Sequence, residues 1–183
     1  MKRIMVICLI SFPLFSFAQQ LLKVGGGIGN RWNERLNSQT LGKGFRVSGE
    51  QFINKQFTIG LEVSWFSFNP TTLVNVRFNS FSLKGTYYFA AGKIQPYLGA
   101  GVGYTSYADK TSIDIGNGNL ITQKRAKNYG VVSPFLGLHY KLGNKKPIGV
   151  FLQVNADFIP VVKIAPIGFV SVSAGISYRL HPH

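Results

Sequence analysis

Few residues in this 183-residue chain are of types that carry chemistry, and their spacing argues against most of it. His139 is the one histidine inside a strand-like segment, and a histidine beside a serine or aspartate can run acyl transfer. The serine on the same face of that segment, Ser133, lies six residues away, about 20 Å at ~3.3 Å per residue, too far to share a proton. His181 and His183 sit on the tail and are too few for a dedicated metal site. Gly25-Gly26-Gly27-Ile28-Gly29 and Gly99-Ala100-Gly101-Val102-Gly103 look superficially like phosphate-cradling loops. That chemistry requires a helix N-terminus directly after the glycines, and none follows. The single cysteine, Cys8, lies in the N-terminal apolar run, so no disulfide or thiolate–metal site is expected after it. No catalytic, cofactor-binding or metal site is therefore expected, and no cofactor. Glu62 and Lys84 differ from the rest. They fall on one face of adjacent strand-like segments and are expected to pair, directly or through Glu50 and Arg46.

The elements holding these residues read as strands. Two-residue alternation predicts them near 21–31, 43–53, 57–68, 76–90, 95–107, 128–142, 147–158 and 167–180. Tight connections at 54–56, 91–94 and 143–146 alternate with longer ones at 32–42, 69–75, 108–127 and 159–166. In an antiparallel sheet of sequential neighbours, alternate turns lie at opposite ends, which is the order found. One face is apolar and free of charge, for example Ile59, Leu61, Val63, then Leu83, Val102, Leu136, Leu152 and Ile176. The other is small and polar: Thr58, Ser64, Ser82, Gly101, Ser133, Ser171, Ser177. A soluble carrier barrel has a greasy interior and a charged exterior, the reverse polarity. These strands predict an all-β, eight-stranded antiparallel up-and-down transmembrane β-barrel. Lys or Arg at a bilayer midplane costs roughly 2–4 kcal/mol, which accounts for the uncharged face.

Finer features follow from that assignment. Phe57, Tyr87, Phe89, Tyr140 and Tyr178 gather near the tight turns, and Trp65 and Tyr104 near the long connections, as two interfacial girdles. Alternate glycines are expected to make room for Phe66, Phe135 and Phe151 in a narrow lumen. Pro134 lacks an N–H within a strand, so a bulge or a skipped hydrogen bond is expected there. The 108–127 connection, with Ile113, Ile115 and Ile121 around Gly116-Asn117-Gly118-Asn119, suggests a hairpin extending strands five and six past the membrane.

Charge is distributed to match. The lumen is expected to hold Arg46, Lys84 and Arg179 against Glu50, Glu62 and Asp157, because an unpaired buried charge is strongly destabilising. The remaining excess lies at the two ends. Lys23 is assigned to the tight-turn end, and Lys124, Arg125 and Lys127 form the basic end of the longest loop, facing lipid phosphates. Residues 1–18 read as an export label: Lys2 and Arg3, an apolar run over 4–17, and Ser16-Phe17-Ala18 before Gln19. That run is shorter than the ~20 residues of a spanning helix, and residues 19–183 then form one barrel domain. Losing Lys2 and Arg3 lowers the formal charge from +14 to +12. The charges form no single stripe, so nucleic acid is not an expected partner.

With these patterns the chain resembles the small eight-stranded outer-membrane proteins of the OmpX type and the membrane domain of the OmpA type. More broadly it resembles the outer membrane protein beta-barrel domain and porin-like families. The most specific element is the terminal strand, where Ser173, Gly175, Tyr178 and Leu180 match the family's assembly signal. His181-Pro182-His183 then follow where many relatives stop at an aromatic residue. The resemblance implies the cell outer membrane of a Gram-negative bacterium, with both termini periplasmic. It also implies recognition by the barrel-assembly machinery, and contact with outer-membrane lipids including lipopolysaccharide. No peptidoglycan-binding domain of the OmpA type is expected after the barrel. The expected role is structural or interactive: envelope integrity, loop-mediated adhesion or docking of an envelope protein. A narrow passive channel is the alternative, and a lipid A-modifying enzyme ranks behind it.

Overall fold

The computed structural model describes residues 19–32, 40–71, 74–90, 92–114, 120–143, 147–160 and 167–180. The expected export label, the 115–119 tip and the 181–183 tail lie outside the described residues, as do Glu34, Arg35, Lys145, Lys146 and Lys163. Eight strands follow in chain order: β1 (Gln20–Trp32), β2 (Thr40–Phe52), β3 (Phe57–Thr71) and β4 (Val74–Tyr88), then β5 (Ile94–Asp114), β6 (Leu120–Lys141), β7 (Ile148–Ile159) and β8 (Ile167–Leu180). Each pairs antiparallel with its successor, and β1 pairs with β8 from Gln20↔Leu180 to Trp32↔Gly168. The barrel is closed, as the alternation of the sequence predicts.

Local chemistry explains the tight ends. At the β2–β3 turn, the Asn54 side-chain oxygen accepts hydrogen bonds from the backbone N–H of Gln56 (2.8 Å) and Phe57 (2.7 Å). An Asx turn of this kind lets the chain reverse without a glycine. The opposite ends run longer than the sequence predicts. The pair β3–β4 continues through the expected 69–75 loop to Thr71↔Val74, with a register shift after Phe68 at Asn69-Pro70. Proline removes a ladder donor, so an irregularity falls there. The pair β5–β6 stays in register to Asp114↔Leu120, which realises the expected hairpin extension. Pro134 interrupts the β6–β7 ladder between Val132↔Phe158 and Phe135↔Asn155 without changing its register. The result is a skipped rung and no bulge.

Burial alternates along the strands where they form the barrel wall, and the two faces are those read from the sequence. Serines, threonines and the acidic residues Glu50, Glu62 and Asp157 point inward, while thirty large hydrophobic side chains among the described residues stay exposed, nearly all of them on the outer wall. Among them Leu136 is 61% exposed, Ile176 64% and Tyr104 72%. An apolar belt this continuous far exceeds the few hundred Å² a water-soluble monomer usually tolerates. It has the chemistry of a lipid-facing wall. Three inward glycines seat the expected rings: a Cβ would stand 2.6 Å from Phe66 at Gly44 and 2.7 Å from Phe151 at Gly25, and would collide with Phe135 at Gly99.

Leu136→Arg, in the middle of the β6 belt, is therefore expected to lower folding stability in lipid vesicles by roughly 2–4 kcal/mol. Leu142→Arg, at the rim, should cost under half as much. Urea titration of vesicle-reconstituted protein measures both, and equal costs contradict the assignment of faces.

Candidate functional site

Six ionised side chains from five strands meet in the lumen as a ladder of alternating sign. Lys23 Nζ lies 2.8 Å from Glu50 Oε1, and Lys84 Nζ lies 3.1 Å from the same oxygen. Lys84 also reaches Glu62 (3.2 Å), Glu62 reaches Arg46 (2.6 Å), and Arg46 crosses the lumen to Asp157 (2.8 Å). Hydroxyls add to two of the carboxylates. Thr58 and Tyr88 donate to Glu50 at 2.8 and 3.0 Å, and Ser133 donates to Asp157. Arg46 also donates to Ser171 Oγ at 2.8 Å. All six charges are nearly inaccessible to water. Each meets at least one opposite charge, the arrangement that offsets the large cost of desolvating it.

Two sequence assignments change. Lys23 belongs to the lumen and not to the tight-turn end; it faces inward between Ser48 and Ser177 and lies 4.3 Å from the Tyr97 ring centre. Arg179 faces inward as expected, but stacks over Phe52 at 4.9 Å and makes no ion pair with the ladder among the described residues. Three cations and three anions remain in contact, with Lys23 in the place expected for Arg179. The glycine run after Lys23 shows no alternation in the sequence, which hid its inward parity.

Aromatic layers fill the lumen on either side of the ladder. Towards the long connections, Phe66, Phe68, Phe78 and Phe169 pack with Val76, Val131 and Ile159, and Tyr107 and Tyr129 join them. Their ring centres stand 5.1–5.6 Å apart for the pairs Phe66–Phe169, Phe68–Phe78, Phe68–Phe169 and Phe78–Phe169. Towards the tight turns, Leu21, Tyr88, Tyr97 and Phe135 form a second layer. The Tyr97 hydroxyl donates to Gln153 Oε1 at 3.0 Å. No motif marks Tyr88 or Tyr97 in the sequence, although their inward parity is legible there.

His139 has partners that its own strand does not supply. Nε2 lies 2.7 Å from Ser177 Oγ on β8, and Nδ1 lies 3.1 Å from Gln95 Oε1 on β5. The Gln95 amide nitrogen donates to the Ala90 carbonyl, which leaves its oxygen to accept from Nδ1–H. Ser177 then donates to Nε2. The order serine–histidine–amide has the form of a nucleophile with its base and orienting group. All three side chains are buried, however, and a Cβ at Gly149 would already touch both His139 Nε2 and Ser177 Oγ. No substrate can reach the hydroxyl in this packing, and the trio acts as a satisfied polar bridge across β5, β6 and β8. Among the described residues no cluster of histidine and carboxylate groups could hold a metal.

The remaining singled-out residues lie at the seam and the mouth. Ser173 and Gly175 point inward, Tyr178 and Leu180 outward, along the β8 edge that closes on β1. Lys124, Arg125 and Lys127 are not in a loop but on β6, paired with Lys110, Asp109 and Tyr107 of β5. Every residue from Arg125 to Asn128 is exposed, so both faces of the arm stand clear of the barrel there. Pairing of β6 with β7 begins only at Val132, so among the described residues no strand covers the other edge of Leu120–Val131.

Removing one rung should be costlier than removing a neutral pair. Glu62→Gln strands charge in the lumen and is expected to cost about 3–5 kcal/mol. Glu62→Leu combined with Lys84→Met leaves Lys23–Glu50 and Arg46–Asp157 intact and should cost less than half of that. Urea unfolding in vesicles separates them, and a double variant as unstable as the single one contradicts the ladder.

No protein-family model matches the chain, and no curated protein sequence does. Solved structures do. The chain is similar to Neisserial surface protein A, at 15% identity and a TM-score of 0.63, covering 87% of this chain and 96% of that one. It is similar to Ail, the attachment invasion locus protein of Yersinia pestis, at 12% identity and a TM-score of 0.57, covering 89% and 99%. A major outer membrane protein from Thermus thermophilus gives 12% identity and a TM-score of 0.63, covering 89% and 100%. At these identities the likeness is one of architecture: the fold of this chain is that of the small eight-stranded outer-membrane β-barrel proteins.

Proposed function

We propose that this protein is an integral outer-membrane β-barrel of a Gram-negative envelope whose role is structural and interactive, neither catalytic nor transporting. Its termini face the periplasm, since Gln20 and Leu180 pair at the tight-turn end, and residues 1–18 are removed on export. The strand edge carrying Ser173, Gly175, Tyr178 and Leu180 is what the barrel-assembly machinery recognises during insertion. The observation that carries the interactive role is the β6 edge over Gln123–Val131, which no strand covers among the described residues, held above an apolar belt by a lumen packed with rings and paired charges. A filled lumen favours no channel. Along Gln123–Val131 the edge offers backbone groups that no strand takes among the described residues to an extended segment of an envelope or host protein, the mode of β-strand addition. Arg125 and Lys127, exposed beside it, favour an acidic partner and attract the anionic sugars and phosphates of lipopolysaccharide. The attachment named for Ail is a function that such a projecting edge could serve here.

Pro134 shows which positions aim at the free edge. Its missing N–H breaks the ladder to β7 and leaves the ladder to β5 whole, so even-numbered residues of β6 direct their N–H groups to the β7 side. Ala126→Pro should therefore abolish partner capture from native outer membranes while leaving the barrel heat-resistant in detergent gels. Undiminished capture by that variant contradicts docking along the edge. In the same preparation, stepwise conductance in planar bilayers would contradict the sealed lumen, and lipid A masses that shift on overexpression and revert on His139→Ala would contradict a non-catalytic role.

A further inference from the structure

The outer wall of β2–β4 carries a feature the interactive role does not use. Strand register places Lys43, Ser67, Arg77 and Ala108 in one row across β2–β5, and Phe45, Trp65, Asn79 and Ser106 in the row beneath. The upper row has two cations and no acid. Lys43 and Arg77 stand two strands apart, about 10 Å at ~4.8 Å per strand, within converging reach of their long side chains. Both are exposed and point away from the lumen. Beneath them Phe45 and Trp65 stack with ring centres 4.5 Å apart. A hollow of about 530 Å³ is bounded by Lys43, Phe45, Trp65, Ser67, Arg77 and Asn79. A second, of about 400 Å³, adjoins it at Asn79 and runs over Val63, Phe81 and Tyr104 into the apolar belt.

The guanidinium is oriented in advance. Arg77 Nε donates to Asn75 Oδ1 at 3.1 Å, and the Asn75 amide donates to Ser67 Oγ at 3.2 Å and to Asn69 Oδ1 at 2.5 Å. This side-chain lattice engages Nε and leaves the two Nη groups for a ligand. A fixed guanidinium fork matches two oxygens of a phosphate, and a lysine beside it adds a mobile point charge. On β3 and β4 the row lies beyond Trp65 and Phe81, the last exposed large hydrophobic side chains of those strands among the described residues, where lipid headgroups succeed hydrocarbon. Below it the stacked rings and the second hollow present an apolar floor suited to acyl chains.

The geometry points to a binding site for the phosphate of an outer-leaflet glycolipid, with Lys43 and Arg77 on the phosphate and acyl chains along Phe45, Trp65, Val63 and Phe81. The site rests on the outer-membrane reading and is separate from the basic β6 edge. It assigns Arg77 and Lys43 to lipid selection, with Asn75 as the residue that positions Arg77.

Native mass spectrometry of the full-length folded protein, titrated with bis-phosphorylated lipid A, tests it. The wild type should retain lipid A at least about tenfold better than a Lys43→Gln/Arg77→Gln variant, and equally better than it retains dephosphorylated lipid A. Asn75→Leu should weaken retention in the same direction, and Lys55→Gln, at an exposed cation on the tight β2–β3 turn at the other end of the barrel, should leave it unchanged. The variants should still fold into vesicles, since both cations are exposed. A chain that folds into vesicles but keeps lipid A equally after both substitutions, or keeps the dephosphorylated form equally, overturns the site alone. A chain that does not enter vesicles overturns the membrane reading and the site with it.

Discussion

Hydrocarbon offers no hydrogen-bond partner to a peptide group, so a sheet that spans it must give every strand two neighbours. In this chain the pairing of β1 with β8, continuous from Gln20↔Leu180 to Trp32↔Gly168, meets that requirement. Closure fixes the parity of all eight strands at once, because a slip of one residue would turn every belt side chain inward. It also limits the space inside. A barrel of this strand number encloses little more than its own side chains. What enters the lumen must therefore be small, or must fit a neighbour that is.

The lumen follows from that confinement. Rings enter where a facing glycine leaves space, as Phe135 does at Gly99. Charges enter only in alternation, from Lys23 through Glu50, Lys84, Glu62 and Arg46 to Asp157. Such a ladder is a weak source of net stability compared with an apolar core of equal volume. Its consequence is geometric: Arg46 on β2 is tied to Asp157 on β7, so opposite walls of the barrel are held across the lumen. Aromatic layers above and below keep water from the charges. A stiff, filled cylinder of this kind is suited to holding surface features in place, here the β6 edge and the outer-wall cations. It is poorly suited to passing solutes.

The fold was legible because two-residue periodicity survives wherever side chains on one face must avoid charge. Strands three to eight show it plainly, and the alternation of tight and long connections then gives the topology. Parity does not show at β1, where Gly25, Gly26 and Gly27 carry no polarity, so Lys23 reads from the sequence as a rim charge. Contacts between strands distant in sequence were also illegible. Ser177 reaches His139 across 38 positions, while a reading confined to one strand could consider only Ser133. The basic triplet Lys124, Arg125 and Lys127 looked like loop because polar residues occupy both faces. Pairing with β5 keeps it extended where no membrane imposes alternation. Lys43 and Arg77 appear in the sequence as two end charges 34 positions apart, and only register brings them into one row.

The central claim is that the greasy wall meets lipid and the ladder lies in a dry interior. The only cysteine is Cys8, so residues 19–183 offer no background thiol for site-directed labelling. Spin labels placed singly from Val132 to Tyr140 in vesicle-embedded protein test the claim through their collision rates with oxygen and with a water-soluble nickel chelate. The account predicts oxygen access that peaks at Val132, Pro134, Leu136, Leu138 and Tyr140 and falls at the residues between, with the nickel reagent excluded from all of them. Peaks of oxygen access at Ser133, Gly137 and His139, or free entry of nickel at those positions, would contradict it.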